Sequence, residues 1–289
     1  MTKPLLSVVI PTWNRAHVVC EAIESALNQR EERVEVIVVD DCSTDTTVGL
    51  VKRTFGSHVH VLQLATRSGQ GAARNAGVLL ARGEFVGFLD SDDIWLRGKL
   101  DAELRVFAEF PDAIAVLSNT QPFFEGQQDG ASRFAQNGLL AATQERVRLV
   151  DDCAWLWTNS TIIAHMSGIT VRRAALAQLG PRLFEQDLSV CEDWEFQMRL
   201  YSLGPVAVLP ELYTWIRRFD DDTRMGRSIP GQAPNRVQEI ALLRARLTVM
   251  QRSKTWLHDL RADLALELER FRNETEERLS QLTTKARTA

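Results

Sequence analysis

The 289-residue sequence lacks the features that mark several classes of protein. It has no Cys-x-x-Cys pair and no Cys/His cluster spaced for zinc, so its scattered cysteines are expected to be reduced thiols: Cys20, Cys42, Cys153 and Cys191. It also lacks a basic excess, because 34 basic residues are outnumbered by 38 acidic ones. A net charge of -4 gives no general field for gripping nucleic acid, so no nucleic-acid partner is expected.

Long apolar runs are absent as well. No stretch approaches the roughly 18 apolar residues that a membrane-spanning helix needs. The apolar run that ends at Pro11 is too short for the core of a signal peptide and is typical of a strand. We therefore expect a cytoplasmic protein without a transmembrane segment, with a peripheral position at the inner face of the membrane as an alternative. An apolar fraction of 45% and a charged fraction of 25% predict an ordinary globular chain rather than a disordered one.

The first 120 residues alternate between short β-branched runs and segments with helical spacing. The predicted strands are Leu5–Ile10, Val34–Val39, His58–Leu64, Phe85–Leu89 and Ala113–Leu117. The predicted helices are Ala16–Gln29, Thr44–Phe55, Gln70–Ala81 and Leu96–Phe110. Strands and helices that alternate in this way predict βαβ units, a mostly parallel sheet and helices on both of its faces.

The rest of the chain is less regular. Residues 121–160 are interpreted as irregular, and the later predicted elements are a strand at Ile169–Arg172, an amphipathic helix at Glu192–Ser202 and two short strands at Val206–Leu209 and Leu212–Ile216. The tail, residues 236–289, has no glycine and no proline, and its apolar residues recur mostly every three or four positions. This spacing predicts a long helix or a helical hairpin, which packs on the main domain or forms a homodimer, with membrane-surface binding as an alternative.

Polar residues follow four successive predicted strands. They occupy residues 11–15, 40–45, 67–75 and 90–93. A sheet of this type binds ligands beyond the carboxyl ends of its strands, so these loops are expected to form one site.

The run Asp90-Ser91-Asp92 is the strongest chemical signal in these loops. Two carboxylates two positions apart point the same way in an extended chain and suit Mg²⁺ or Mn²⁺, which in turn suit a phosphate-bearing substrate. The alternative is that Asp92 or Asp93 only caps the helix predicted to begin near Leu96. Other phosphate sites are excluded, because Arg74 stands where a dinucleotide fingerprint needs glycine and no P-loop sequence occurs.

Five segments together resemble the glycosyltransferases of family 2, which have the GT-A fold. They are Val8–Arg15, Val38–Asp45, Gly71–Gly77, Phe88–Asp93 and Cys191–Phe196. The resemblance implies an α/β GT-A domain over residues 1–230, with a Rossmann-like, mixed and mostly parallel sheet flanked by helices. Residues 236–289 would then form a C-terminal helical extension that the resemblance does not cover.

The resemblance also implies an activity and a set of roles. The activity is inverting transfer of a sugar from a nucleotide-sugar donor, UDP or dTDP being favoured, to a hydroxyl of a glycan, a lipid-linked sugar or a small molecule. Mn²⁺ or Mg²⁺ would be held by Asp92 with Asp90, and Asp193, preceded by Glu192, would be the general base. Either Asp40 or Asp41 would accept a hydrogen bond from the base of the nucleotide. The full set of implied donor-binding residues is Pro11, Thr12, Asn14, Arg15, Asp40, Asp41, Arg74, Asp90, Ser91 and Asp92.

Several alternatives stay open at this point. Glu192 and Asp193 are also the acids expected at a helix N-terminus for purely electrostatic reasons. A nucleotidyltransferase would use similar carboxylates, and a scaffold that dimerises through its tail would need no chemistry. The family often has a metal-binding histidine where this chain has Asp220–Asp222, and an asparagine where it has Arg67. Arg217 and Arg218 would contact the diphosphate or pair with that acidic run, and four tryptophans would stack on a sugar or pack in the core: Trp95, Trp155, Trp157 and Trp215.

Overall fold

The computed structural model describes residues 3–29, 33–143, 146–151, 164–188, 190–219, 236–257 and 262–284. The chain divides into two compact units. The first consists of Met1–Gln186 and Phe196–Arg218, and the second of Asp187–Glu195 and Phe219–Ala289. Among the described residues, no helix combines the length and the apolar character needed to cross a membrane.

The first unit is built on one sheet. In the described residues its strands are β1 (Leu6–Thr12), β2 (Val34–Asp40), β3 (Val59–Gln63), β4 (Phe85–Phe88), β5 (Ile94–Trp95), β6 (Ala115–Phe124), β7 (Gln127–Gln128), β8 (Arg148–Val150), β9 (Ile169–Arg172) and β10 (Val206–Arg217). The strand order is β3-β2-β1-β4-β9-β6-β10-β5, with β7 beside β6 and β8 beside β10. The pairs β3-β2-β1-β4 and β6-β10 are parallel, whereas β9 is antiparallel to both of its neighbours. The sheet is therefore mixed and mostly parallel, as predicted.

Helices follow the strands in the order expected of βαβ units. They are α1 (Val19–Leu27), α2 (Thr47–Phe55), α3 (Gln70–Leu80), α4 (Lys99–Glu109), α5 (Arg133–Gln136), α6 (Leu139–Thr143), α7 (Arg173–Gln178), α8 (Glu192–Tyr201), α9 (Arg236–Leu257) and α10 (Ala262–Thr284). Short 3-10 turns precede β3 and β9, at Gly56–His58 and Met166–Gly168.

Side chains alternate between the two faces of the central strands. Every residue of β1 and β2 is buried, which explains why apolar side chains predominate in both strands. Leu6, Val8 and Ile10 belong to the core that contains the apolar side chains of α1, α2 and α4. On the other face α3 lies so close that a Cβ atom at Gly77 would collide with Val9, and glycine is therefore required there. Helices cover both faces of the sheet, as predicted.

Several predicted boundaries are wrong. Val206–Leu209 and Leu212–Ile216 are not separate strands, because β10 continues through Pro210 with register shifts after Leu209 and Leu212. The helix expected from Leu96 begins only at Lys99, because the pairing of Ile94 and Trp95 with β10 extends to the Leu96 N–H, which donates to the Tyr213 carbonyl at 2.9 Å. The predicted irregular segment 121–160 contains the end of β6, the strands β7 and β8, and the helices α5 and α6, although residues 152–160 lie outside the described part.

The second unit contains the two tail helices. A salt bridge of 3.0 Å joins Arg278, near the end of α10, to Glu239, near the start of α9. The two helices are therefore antiparallel, and the tail is the hairpin form of the two predicted alternatives. Cys20, Cys42 and Cys191 form no disulfide within the described residues, and Cys153 lies outside them.

Candidate functional site

The ends of β1 and β2 bring two buried polar side chains together. Thr12 and Asp40 are register partners at the carboxyl ends of these strands, and both are buried. Asp40 accepts a hydrogen bond from the Ser43 N–H through Oδ2, at 3.0 Å. Asp40 Oδ1 and Thr12 Oγ1 are buried and have no hydrogen-bond partner in the described part of the chain. Leaving a buried polar atom unpaired is costly, so these two atoms mark a place that a ligand would complete.

Asp41 has a different environment. Its two carboxylate oxygens accept hydrogen bonds from the backbone N–H groups of Ser68 and Gly69, at 2.6 and 2.8 Å. These bonds fix the loop that leads into α3, where Gly69 has a positive φ of 87° and so suits glycine. Of the two alternatives left by the sequence, the geometry therefore favours Asp40 as the acceptor for a ligand.

Asn14 connects the loops after β1 and β2. Its φ of 51° is in the left-handed region, its N–H donates to Ser43 Oγ at 2.8 Å, and its Oδ1 accepts the Thr44 N–H at 2.8 Å. Pro11 lies inside β1, where it pairs in register with Val39. Both residues shape the edge of the sheet through the protein's own contacts.

Three arginines extend this edge. Arg15 lies 3.8 Å from Asp92, measured from Nε to Oδ2. Arg74, buried on α3, donates from Nη2 to Asp90 Oδ1 at 2.8 Å. Arg67 stacks its guanidinium 3.6 Å above the ring centroid of Trp13 and so links the loops after β1 and β3. Two of these cations are thus paired with the acidic segment after β4.

That segment, Asp90–Asp93, is called the acidic loop below. It forms a turn in which the Asp93 N–H donates to the Asp90 carbonyl at 3.0 Å. Its serine and its last two aspartates are buried. The helix that follows is preceded by Gly98 in the left-handed conformation, so the alternative that Asp92 or Asp93 caps it is wrong.

The acidic loop contributes to a group of potential metal ligands. Oxygen atoms of Asp90 and Asp93 and a ring nitrogen of His165 all lie within 4.8 Å of one another. Two carboxylates and an imidazole are a plausible donor set for a divalent transition ion such as Mn²⁺. The sequence predicts Asp92 with Asp90 as metal ligands, and the group found here adds Asp93 and His165 as candidates. His165 is far from the acidic loop in sequence, so no local motif connects them.

Strand β10 holds the acidic loop from the other side. Arg217 donates from Nε to the Asp92 carbonyl at 3.0 Å and from its backbone N–H to Asp93 Oδ1 at 3.1 Å. Its Nη2 also pairs with Glu21 at 2.6 Å. Arg218 pairs with Asp129 at 3.2 Å. The alternative pairing with Asp220–Asp222 falls outside the described residues.

Glu192 and Asp193 begin α8, as the sequence predicts, and lie in the second unit. Glu192 is buried, whereas Asp193 is half-buried and accepts the Trp194 N–H at 2.8 Å. Burial raises the pKa of the adjacent Cys191 thiol to about 12, and the negative charge of Asp193 adds to this rise. Asp193 is thus the more accessible of the two acids, and both stand in the first turn of α8, where negative charge is favourable.

Two of the four tryptophans lie in the described residues, and both contact other side chains or backbone of the protein. Trp95 is buried and donates from Nε1 to the Ser167 carbonyl at 2.7 Å, so it packs in the core. Trp215 lies with its ring centroid 5.3 Å from that of Phe123. Trp155 and Trp157 lie outside the described residues.

The residues that form this edge of the sheet lie in a region that matches a known protein family. The family model of glycosyl transferase family 2 matches residues 7–178. The chain belongs to glycosyl transferase family 2. The match contains the ends of β1, β2 and β4 and stops before α8 and the tail hairpin, so the family assignment rests on the first unit.

Curated relatives of this family 2 chain are similar over part of their length. The Escherichia coli UDP-Glc:alpha-D-GlcNAc-diphosphoundecaprenol beta-1,3-glucosyltransferase WfgD is 36% identical over 145 residues, which are 50% of this chain and 54% of WfgD. The Staphylococcus aureus poly(ribitol-phosphate) beta-N-acetylglucosaminyltransferase TarS is 31% identical over 212 residues, which are 71% of this chain and 34% of TarS. The chain thus spans about half or less of the length of these relatives.

Solved structures of the same type confirm the GT-A fold. The crystal structure of S. aureus TarS 1–349 in complex with UDP has a TM-score of 0.66 at 23% identity, covering 96% of this chain and 70% of that chain. The mannosyltransferase PcManGT from Pyrobaculum calidifontis, in complex with GDP-Man and Mn²⁺, has a TM-score of 0.64 at 17% identity, covering 100% of this chain and 76% of that chain.

Proposed function

We propose that this chain is an inverting, divalent-metal-dependent glycosyltransferase that moves a sugar from a nucleotide-sugar donor to an acceptor hydroxyl. The observation that carries the proposal is the buried Oδ1 of Asp40, which has no hydrogen-bond partner among the described residues and lies on the same sheet edge as the acidic loop. A nucleotide-sugar donor has a base that can hydrogen-bond to Asp40 Oδ1. It also has a diphosphate, whose charge a cation at the acidic loop would neutralise.

Asp40 favours a pyrimidine with an imide N–H. Uracil and thymine each have such a donor, and a carboxylate oxygen without a protein partner would accept it in a charge-assisted hydrogen bond. Thr12 would add a second polar contact beside it. The TarS structures in complex with UDP and with UDP-GlcNAc support the choice of a UDP-type donor for this chain.

The residues near the acidic loop fit a divalent ion, because carboxylates and one imidazole converge there. Asp90 and Asp92 would hold the ion as the resemblance implies, with Asp93 and His165 as further candidates. When bound, such an ion neutralises the charge that develops on the departing nucleoside diphosphate. Arg15 and Arg74 are already oriented by Asp92 and Asp90 and would be close to the same phosphates.

Asp193 would be the general base that takes the proton of the acceptor hydroxyl during attack. Its partial exposure distinguishes it from the buried Glu192, which would support it from the same helix turn. The acceptor class, a homodimer through the tail and a peripheral position at the membrane stay predictions.

The experiment measures two properties of the same protein. Calorimetry with UDP and Mn²⁺ measures donor binding, and UDP release from UDP-GlcNAc and UDP-glucose, with water in place of the acceptor, measures turnover. We expect Asp193→Asn to keep the UDP affinity within about twofold and to lose about 10²–10⁴-fold in turnover, the usual contribution of a general base. A wild-type turnover in this variant would contradict the role of Asp193, and release of diphosphate instead of UDP would indicate a nucleotidyltransferase. An absence of nucleotide binding by the wild type would favour a non-catalytic scaffold.

A further inference from the structure

Ser167 lies behind the acidic loop and belongs to neither the metal ligands nor the donor contacts described above. It is the middle residue of the 3-10 turn Met166–Gly168, which leads into β9. Its relative exposure is 0%. Any effect of the residue on a ligand is therefore transmitted through the groups that it contacts.

The Ser167 hydroxyl bridges the two ends of the acidic loop. It donates to Asp93 Oδ2 at 2.6 Å and accepts the Asp90 N–H at 3.0 Å. A buried hydroxyl that donates to a carboxylate makes a charge-assisted bond, which is among the stronger hydrogen bonds in proteins. One atom thus fixes both the backbone at Asp90 and the carboxylate of Asp93.

The backbone of Ser167 is itself fixed. Its carbonyl accepts hydrogen bonds from Trp95 Nε1 at 2.7 Å and from Thr214 Oγ1 at 3.1 Å. Its N–H donates to His165 Nδ1 at 3.4 Å. The backbone that carries the hydroxyl is therefore held by side chains of β5 and β10 and by the histidine that precedes the turn.

The next residue allows no freedom either. A Cβ atom at Gly168 would lie 2.6 Å from the Ser118 carbonyl oxygen, so only glycine fits between the turn and β6. The Ser118 hydroxyl also donates to the Gly168 carbonyl at 3.2 Å. The turn is thus attached to the sheet immediately beside the serine, and a rigid support of this kind can set the geometry of a loop.

We propose that Ser167 is a positioning residue that holds the acidic loop in the shape required to bind a divalent ion with a nucleoside diphosphate. The inference rests on the proposed function and adds a residue that no motif in the sequence indicates. Without the hydroxyl, the Asp90 N–H and the buried Asp93 carboxylate each lose a partner, and the loop is free to rearrange. Residues that support metal ligands in this way typically change metal affinity by about 10–100-fold when they are mutated.

The test uses the full chain and measures Mn²⁺ binding without any turnover. Mn²⁺ is titrated in the presence of UDP, and free Mn²⁺ is followed by electron paramagnetic resonance. We expect Ser167→Ala to weaken the Mn²⁺ affinity by about 10-fold or more. Ser167→Cys keeps a weak donor of similar shape and should lie between Ser167→Ala and the wild type. If circular dichroism shows that Ser167→Ala does not fold, the Mn²⁺ affinity of Ser167→Cys, compared with that of the wild type, provides the test instead.

Ser7 provides a matched control. Its buried hydroxyl also donates to a carboxylate, Glu35 Oε1 at 2.5 Å, and accepts a backbone N–H, that of Gly83 at 2.8 Å. Ser7 lies at the start of β1, whereas the proposed nucleotide-sugar site lies at the carboxyl end of that strand. Ser7→Ala should therefore lose comparable stability and keep the wild-type Mn²⁺ affinity.

The outcomes separate this inference from the proposed function. Wild-type Mn²⁺ affinity in Ser167→Ala, or an equal loss in Ser7→Ala, would overturn the positioning role and leave the glycosyltransferase proposal intact. An absence of Mn²⁺ binding by the wild type in the presence of UDP would overturn the metal dependence itself. A selective loss in the Ser167 variants would support both.

Discussion

Asp40 and Asp41 are neighbours with the same side chain, but their hydrogen bonds are different. Asp41 uses both oxygens to hold the backbone before α3. Asp40 uses one oxygen for Ser43, and its other oxygen is buried with no partner among the residues that the structure describes. In Asp41 each N–H is accepted by a different carboxylate oxygen. An asparagine has only one acceptor oxygen, so replacing either aspartate by asparagine removes one of the two acceptors and tests what that oxygen binds.

The first residue-scale prediction is that Asp40→Asn weakens UDP binding by about 10–100-fold, the equivalent of a hydrogen bond to a charged group. The single oxygen of the asparagine amide can accept either the Ser43 N–H or the imide N–H of uracil. The N–H group that is not accepted then faces the amide NH₂, which is itself a donor and cannot bind it. Calorimetric titration of UDP in the presence of Mn²⁺ measures the change.

Asp41→Asn is the matched comparison. It removes one acceptor from the Ser68 and Gly69 pair, so it should lower the free energy of unfolding by about 1–3 kcal/mol. Its UDP affinity should exceed that of Asp40→Asn. The reverse order of the two affinities would assign the base contact to Asp41.

The sequence pattern names Asp40 and Asp41 but does not predict which of them is hydrogen-bonded by the protein through both oxygens. The motif around Asp40 and Asp41 names both residues, and only the positions of Ser68 and Gly69 show which one is already occupied. His165 and Ser167 could not be predicted at all, because the fold brings a distant turn against the acidic loop and no local pattern records that contact. The contacts that place His165 and Ser167 beside the acidic loop, and those that pair Asp41 with the loop before α3, depend on long-range packing and are not visible in the sequence.

At the scale of elements, the predicted strands with continuous β-branched composition are accurate to within one or two residues. β1, β2 and β9 are examples, since burial on both faces leaves little room for polar residues. The prediction failed at β10, where Pro210 suggested a break. The strand instead continues through an irregularity whose Pro210 carbonyl accepts a hydrogen bond from Asn119 Nδ2 at 3.1 Å.

The tail hairpin holds the segment Asp187–Glu195 within the second unit. Arg252 on α9 pairs with the Asp187 carboxylate and lowers the pKa of that group. The rings of Trp194 and Phe271, the latter on α10, meet edge to face with centroids 6.4 Å apart. The helices that the family match does not cover thus contact the segment that includes Asp193.

We predict that Arg252→Ala increases hydrogen–deuterium exchange in residues 187–195, because one attachment of that segment to α9 is lost. Mass spectrometry of the corresponding peptide measures the effect, and the double charge swap Asp187→Arg with Arg252→Asp should restore the protection. Arg270→Ala is the matched control, since it removes an arginine whose salt bridge to Glu274, at 3.6 Å, lies within α10. Equal exchange in wild type and Arg252→Ala would show that the ion pair does not hold the segment.

At the scale of the whole molecule, the net charge of -4 says little about the distribution of acids. Asp40, Asp41 and the acidic loop all lie at the carboxyl edge of one sheet, and Arg15 and Arg74 offset only part of their charge. An anionic diphosphate would be repelled from such an edge unless a cation came with it. Whole-chain stability should therefore respond to nucleotide and metal together rather than to either one alone.

The corresponding prediction concerns the thermal midpoint of the full chain. UDP at about 100 times its dissociation constant contributes about 2.7 kcal/mol to the folded state, which corresponds to a rise of roughly 5–10 °C for a protein of this size. We expect this rise with Mn²⁺ and expect most of it to disappear in EDTA or in Asp92→Ala. Uridine has no diphosphate, so its smaller shift should be the same with and without EDTA. If the UDP shift survives EDTA unchanged, nucleotide binding stands and the metal dependence is wrong, and the cations at the edge, Arg15 and Arg74, must then neutralise the diphosphate.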